Sequence, residues 1–496
     1  MPIHVKSKEI SVISAFPYQV FRRAFGSHDA GNRTGRGVRN SLTSINDQNW
    51  KWAADRAPEI TACRAMHKHT AEKARYMILA LRKYVSRLPE KIWFRAMLFS
   101  VGAIAAAAAA EWIGPLIPYE ADLEIASGSV GDILTILASS MLAVIAFSVS
   151  IMVSAYGSAT STATPRTIAL MLADDRSQNA LSTFLGTFLF SIVGIIGLSA
   201  GYYDDRGRII LFFATIIVIV LITGTLINWI QQLSTFGRMN DLIERVEQAT
   251  SKALRWHGQH PFLNAQAPVE IPQDAVPIGC DIPSGVVTSI DMDVLEEAAE
   301  KYGVTAYLAI HPGKLVYPAR PLLYLSGDDA NKADPQPFRD AILVEHDRSF
   351  DQDPRFGLVV LSEIASRALS PAINDPGTAI SVLDSGLRCF EVFAEACATP
   401  QEAQYSRVHG PAIETKDLFT DFFAKIARDG AGMVEVQQRI QLCLLALTQS
   451  WPDIFSTAAS EASSNALARA LDTIVHKPDI KDLKARSQKV IDSCQA

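Results

Sequence analysis

Two groups of residues have the types and the spacing to do chemistry. The first is a stripe of small side chains within residues 138–166. Ser139, Ala143, Ala146, Ser150, Ser154, Gly157 and Ser161 recur at helical spacing and share one face. Small faces let helix backbones approach closely in lipid, and hydroxyls bond across an interface or back to their own carbonyls. A tight helix–helix seam is one reading of the stripe, and the polar lining of a narrow water or ion path is the other. The second group is Asp351, Asp353, Arg367, Asn374 and Asp375, within RSFDQDPRFGLVVLSEIASRALSPAINDPGTAISVLD. Asp-Pro at 353–354 and again at 375–376 sets a capping carboxylate before a proline at the first helical position. These five read either as caps with an internal ion pair, or as hard oxygen donors at a cytoplasmic ligand or divalent-ion site. No EF-hand, Walker, dinucleotide, HExxH or GxSxG pattern accompanies them. No cofactor, no metal ligand set and no catalytic residue is assigned, and an enzyme is not expected.

The stripe is positioned by a membrane helix. A mean hydropathy of +0.14 with 20% charged residues fits a chain partly in lipid and partly in water. Four transmembrane helices are expected, over about 92–116, 130–156, 180–202 and 209–231. In the first, Trp93 and Trp112 lie 19 residues apart, which matches a hydrocarbon core of roughly 30 Å. Glu111 sits near its outer end, where an interfacial carboxylate requires no function. In the third, Gly186, Gly194, Gly197 and Gly201 give a packing face. Residues 1–91 carry 17 Lys/Arg against 7 Asp/Glu, a net +10 that leaves −16 for the remainder. A basic block before the first span is the cytoplasmic signature, and Arg166 and Arg176 return the second connection to that side. Both termini are therefore expected in the cytoplasm of a multi-pass protein of the bacterial inner membrane. The topology explains the basic block without nucleic acid, and none is expected as a partner. The first apolar run begins only near Ile92, so no cleavable leader is expected. The six cysteines show neither CxxC nor ligand spacing and read as reduced thiols.

The fold class expected is mainly α, with four transmembrane helices and a cytoplasmic α+β region. A basic, partly disordered extension (1–91) precedes the membrane domain (92–233). An amphipathic helix over 240–256, continuing the fourth span, and a Pro-rich linker fill 234–283. Residues 284–330 predict a strand, a helix and three short strands, a small β-barrel-like module. A helical domain covers 335–496, with helices over 354–369 and 376–397 joined by the rigid SPAIND break. The segment 165–176 is expected along the inner membrane surface through Ile168, Leu170, Met171 and Leu172.

Three blocks carry a resemblance: FSVSIMVSAYGSATSTATPR with DDRSQNALSTFLGTFLFSIVG; SGVVTSIDMDVLEEAAEKYGV with HPGKLVYPARPLLYL; and RFGLVVLSEIASRALSPAINDPGTAISVLD. Together they resemble the bacterial family of predicted membrane proteins catalogued as domain of unknown function 2254. The resemblance implies a multi-span inner-membrane protein with a cytoplasmic C-terminal region, and supplies no activity. The basic extension is longer than the family pattern. Two function classes follow from the residues. In one, the protein is a homo-oligomeric channel or transporter, with the lipid bilayer and a small ion or ligand as partners. In the other, it is an anchored cytoplasmic sensor or scaffold that binds a ligand or partner at the SPAINDP corner.

Overall fold

The computed structural model describes residues 127–495 apart from 204 and 282, together with positions 97 and 101. The whole basic extension (1–91), and the expected first span with Trp93, Trp112 and Glu111 apart from positions 97 and 101, lie outside the described residues. Within them the molecule is mainly helical, with three helices long and apolar enough to cross a membrane.

The first, α1 (Ser127–Thr162), contains no proline over 36 residues and runs unbroken through the Ser/Thr-rich tail. At about 1.5 Å per residue it is longer than a hydrocarbon core requires. A short helix, α2 (Thr167–Leu172), follows the Pro165 turn. Its Met171 is fully buried in the main core. The segment expected to lie along a membrane surface is therefore docked on protein, with Leu172 left exposed. Helix α3 (Asp175–Ser199) packs along α1, and α4 (Asp205–Leu233) packs against α3. Gly194 permits that closeness: a Cβ there would lie 2.9 Å from a Leu134 methyl on α1.

The helix expected to continue the last span is separate. Residues 234–238 turn, with Gly237 at φ +75°, and α5 (Met239–Gln259) starts anew. Only glycine takes that backbone region without cost. A Cβ at 237 would also stand 3.0 Å from that of Ala155 on α1. Helix α5 buries Leu242, Ile243, Val246, Ala253 and Leu254 as one stripe, the amphipathic pattern of a helix laid on a core.

Six helices complete the bundle: α8 (Pro354–Ala368), α9 (Pro376–Cys397), α10 (Thr415–Asp429), α11 (Val434–Ser450), α12 (Pro452–Thr473) and α13 (Lys477–Gln495). At its centre the Phe390 ring has Phe419, Phe422, Phe423 and Phe455 around it, with centroids 4.8 to 6.0 Å away. One continuous core runs from Met152 and Trp229 in the spans, through Val246 on α5, to Phe356, Phe390 and Leu444 in the bundle.

Between α5 and α8 the chain builds a separate core. Strands β1 (Val276–Gly279), β2 (Gly285–Ile290), β3 (Thr305–Leu308), β4 (Leu315–Val316), β5 (Pro321–Ser326), β6 (Ile342–Glu345) and β7 (Val408–His409) form it, with α6 (Met292–Tyr302) and α7 (Gln336–Asp340). The strands expected to close as a small barrel pair instead as two ladders, β1-β5-β3-β7 and β4-β2-β6. The linker supplies β1, whose Pro277 sits on a sheet edge where its missing N–H costs nothing. Strand β7 arrives from the bundle, parallel to β3, and Glu296 on α6 accepts the backbone N–H groups of Ser406 and Arg407 beside it. The small module is thereby laced to the bundle.

Truncating the residue at the centre of the aromatic cluster tests the core. Phe390→Ala is expected to cost about 3–5 kcal/mol, read as a lower denaturation midpoint of the purified protein. A cost under about 1 kcal/mol contradicts this packing.

Candidate functional site

The two faces of α1 have opposite fates. Leu134, Ala138, Met141, Met152 and Ala159 are buried against the other spans. Buried Ser148 belongs to the same face, its hydroxyl accepting the Trp229 indole N–H at 2.9 Å. The opposite face is the small-residue stripe. Ser139, Ala143, Ala146, Ser150, Ser154, Gly157 and Ser161 are all exposed, and a Cβ at Gly157 would meet nothing within 4 Å. The stripe is therefore left uncovered among the described residues. Ser139 donates to the Thr135 carbonyl at 3.0 Å and Ser161 to that of Ser158 at 2.9 Å, so these exposed hydroxyls have their protons already satisfied within the helix.

The end of α1 nearest the bundle is held. After Thr162 the chain turns at Thr164–Pro165–Arg166, and both flanking side chains reach Glu363 on α8. The Arg166 guanidinium donates at 2.6 Å and the Thr164 hydroxyl at 3.4 Å, with the Lys425 ammonium from α10 at 3.8 Å. A second clamp centres on Asp174, the N-cap of α3. Its carboxylate accepts the Ser177 amide at 2.8 Å and the Ser177 hydroxyl, the Gln232 amide of α4 at 2.6 Å, and Arg245 of α5 at 2.8 Å. Arg245 also binds Asp241 at 3.0 Å and lies over the Phe236 ring. Burial pushes the Asp174 carboxyl up, but the hydrogen bonds from Ser177 and Arg245 outweigh it and hold it below the ordinary carboxylate range.

The five residues of the second sequence group do not share a pocket. Asp353 caps α8, accepting the amides of Arg355 and Phe356 at 3.1 Å while Arg348 grips it at 2.7 and 3.1 Å. Asp351 is exposed beside it. Arg367, Asn374 and Asp375 stand at the far end of α8, whose 15 residues separate the ends by about 20 Å. There Arg367 is exposed, Asn374 holds a left-handed turn at φ +52°, and Asp375 caps α9 through the Thr378 amide at 3.0 Å. The Thr378 hydroxyl and amide hold the Asp375 carboxyl below its usual range. The sequence group named a corner that the straight helix between its members divides. Among the described residues no group of His, Cys, Asp or Glu is arranged to hold a metal ion.

Sequence reading missed the residues of both clamps. Asp174 carried a local signal, a helix-capping Asp three residues before Ser177. Glu363, Gln232 and Arg245 carried none, because their partners lie 58 to 199 residues away along the chain.

Three apolar helices joined through buried charge to a polar bundle define a membrane protein. The chain belongs to the family described as predicted membrane protein DUF2254, whose model matches residues 89–446. It is similar to an uncharacterised protein of Mycobacterium bovis and to one of Mycobacterium tuberculosis, each 28% identical over 306 residues. Each match covers 56% of this chain and 56% of the relative, so the chain spans about half the length of the curated relatives it matches. No solved structure matches it.

The first clamp has a direct test. Glu363→Gln is expected to loosen the α1–α2 turn by about 1 kcal/mol, read as faster amide hydrogen exchange over residues 164–172. Unchanged exchange there contradicts a clamp at Glu363.

Proposed function

We propose that the protein is an oligomeric channel or transporter of the bacterial inner membrane. In this reading α1 helices from several copies converge, and their stripes of Ser139, Ser150, Ser154, Gly157 and Ser161 line a narrow path. The observation that carries it is the orientation of the stripe. The residues best suited to close helix approach are left exposed among the described residues, while Leu134, Ala138, Met141, Ser148, Met152 and Ala159 on the opposite face of α1 are buried. A second copy is the partner that such a face fits.

The bundle then acts as the regulatory region. The Glu363 and Asp174 clamps grip the end of α1 and the start of α3, so a displacement of the bundle moves the path-lining helix. Arg166, Arg176 and Arg238 stand at that end of the spans, which supports a cytoplasmic side there by the positive-inside rule. A fourth span over 92–116, entered from the basic extension, completes the membrane domain and leaves both termini cytoplasmic. The path carries hydroxyls and no carboxylate or cation within the stripe, which suits a small ion or solute passing without a charged relay. No cofactor and no chemical step belong to this reading. The competing reading, an anchored sensor with its ligand at the SPAINDP corner, lacks a common pocket for its five residues.

Ion flux into liposomes, compared between wild type and Ser150→Trp at equal oligomeric mass, tests the reading. Flux in the wild type that disappears in the variant is expected, because an indole fills a path lined by small residues. Absence of wild-type flux across monovalent cations and anions at imposed potentials contradicts it.

A further inference from the structure

A cavity of about 590 Å³ lies between the end of α1 and the turn that joins α4 to α5. One wall is a set of hydroxyls spaced by one helical turn, Ser154, Ser158 and Thr162, with Ile151 and Ala155 beside them. The other wall is Phe236, Gly237, Arg238 and Met239. The membrane-length helices end at Thr162 and Leu233, and because α1 is longer than a hydrocarbon core requires, its bundle-side end, where the cavity lies, extends to headgroup depth. Its walls grade accordingly, from Ile151 and Ala155 to hydroxyls and a guanidinium.

The charge at the polar end is positive. Arg238 is exposed and forms no ion pair among the described residues. It is also the N-cap of α5, a helix of 21 residues whose first-turn amides add partial positive charge. The carboxylate of Asp241, three residues on, is already engaged by Arg245 and by the Gly237 amide at 3.1 Å. A cation over a bed of hydroxyls, closed on one side by an apolar wall at headgroup depth, matches an amphiphile with an anionic phosphodiester.

We propose that this cavity binds the headgroup of an anionic phospholipid from the leaflet on the bundle side, its phosphate at Arg238 and its glycerol ester region against Ser158 and Thr162. The site touches α1 and the α4–α5 turn together, so its occupant bridges the path-lining helix and the helix that leads to the bundle. The proposal is independent of conduction, since it requires only that α1 and α4 span the bilayer.

The test uses the full chain in detergent, with lipid binding followed by native mass spectrometry and by thermal stability. Phosphatidylglycerol is expected to bind and to raise the melting temperature, whereas phosphatidylcholine and inorganic phosphate are not. Arg238→Gln is expected to weaken phosphatidylglycerol binding about fivefold, the loss of one interfacial cation. Arg176→Gln removes an exposed arginine outside the cavity and is expected to bind as wild type does. Ser158→Trp fills the cavity without changing its charge and is expected to exclude the lipid, which keeps the test valid should Arg238→Gln assemble poorly. Wild-type lipid response in both Arg238→Gln and Ser158→Trp overturns the proposal, as does an equal response to inorganic phosphate. A change of oligomeric mass in Arg238→Gln with no change in lipid binding also overturns it, and assigns the cavity to a second copy of the chain.

Discussion

The carboxylate of Asp174 receives hydrogen bonds from three helices: from its own α3 through Ser177, from α4 through Gln232 and from α5 through Arg245. The remaining architecture hangs on that convergence. Two membrane-length helices and the helix that leads into the bundle are fixed to one another by a single acid, itself only 10% exposed. Such a group is stable when every lone pair is occupied and costly when a partner is lost, because an uncompensated buried charge remains. The apolar packing around it points the same way, since one core passes from the spans through α5 into the bundle. The bundle is therefore no pendant domain on a flexible tether. Its position and that of the spans are one variable.

This constraint gives α1 its asymmetric character. One face is committed to α3 and α4, and the bundle-side end is committed to Glu363 through Arg166 and Thr164. The third surface, the stripe of serine, alanine and glycine, is committed to nothing within the described chain. A membrane helix with only large apolar residues on its free face would be content in lipid. The free face of α1 sets the small stripe among exposed Leu142, Phe147, Val149 and Val153, leaving grooves that lipid chains fill poorly and another helix fills well. In the proposed reading the same geometry would connect regulation to the path, because a displacement of the bundle reaches α1 through the Glu363 and Asp174 contacts.

Much of this was legible in the sequence because it is local. The helices after Pro354 and Pro376 follow from Asp-Pro pairs, and both aspartates do cap them. The period of the stripe follows from spacing alone. Its direction does not, because nothing in a single helix states which face its neighbours take. The residues Asp351, Asp353, Arg367, Asn374 and Asp375 are divided between the two ends of a 15-residue helix, a separation that nearness in sequence does not reveal. The two clamps were invisible because each joins residues tens to hundreds of positions apart, and no periodicity encodes such pairs. Strand β7 was hidden too, being two residues long and meaningful only beside β3. The expected continuation of the last span into α5 broke at Gly237, where the left-handed backbone turns the chain and brings Ala155 close.

The central claim is that the stripe on α1 meets the same stripe of a second copy. Oxidative cross-linking in native membranes tests it most directly, with a single cysteine placed at Ser150, at Gly157, or at Val220, an exposed position on α4. A disulfide needs Cα atoms within about 7 Å, so the account predicts covalent dimers for Ser150→Cys and Gly157→Cys and none for Val220→Cys. Dimers through Val220→Cys, with both stripe positions silent, would contradict it.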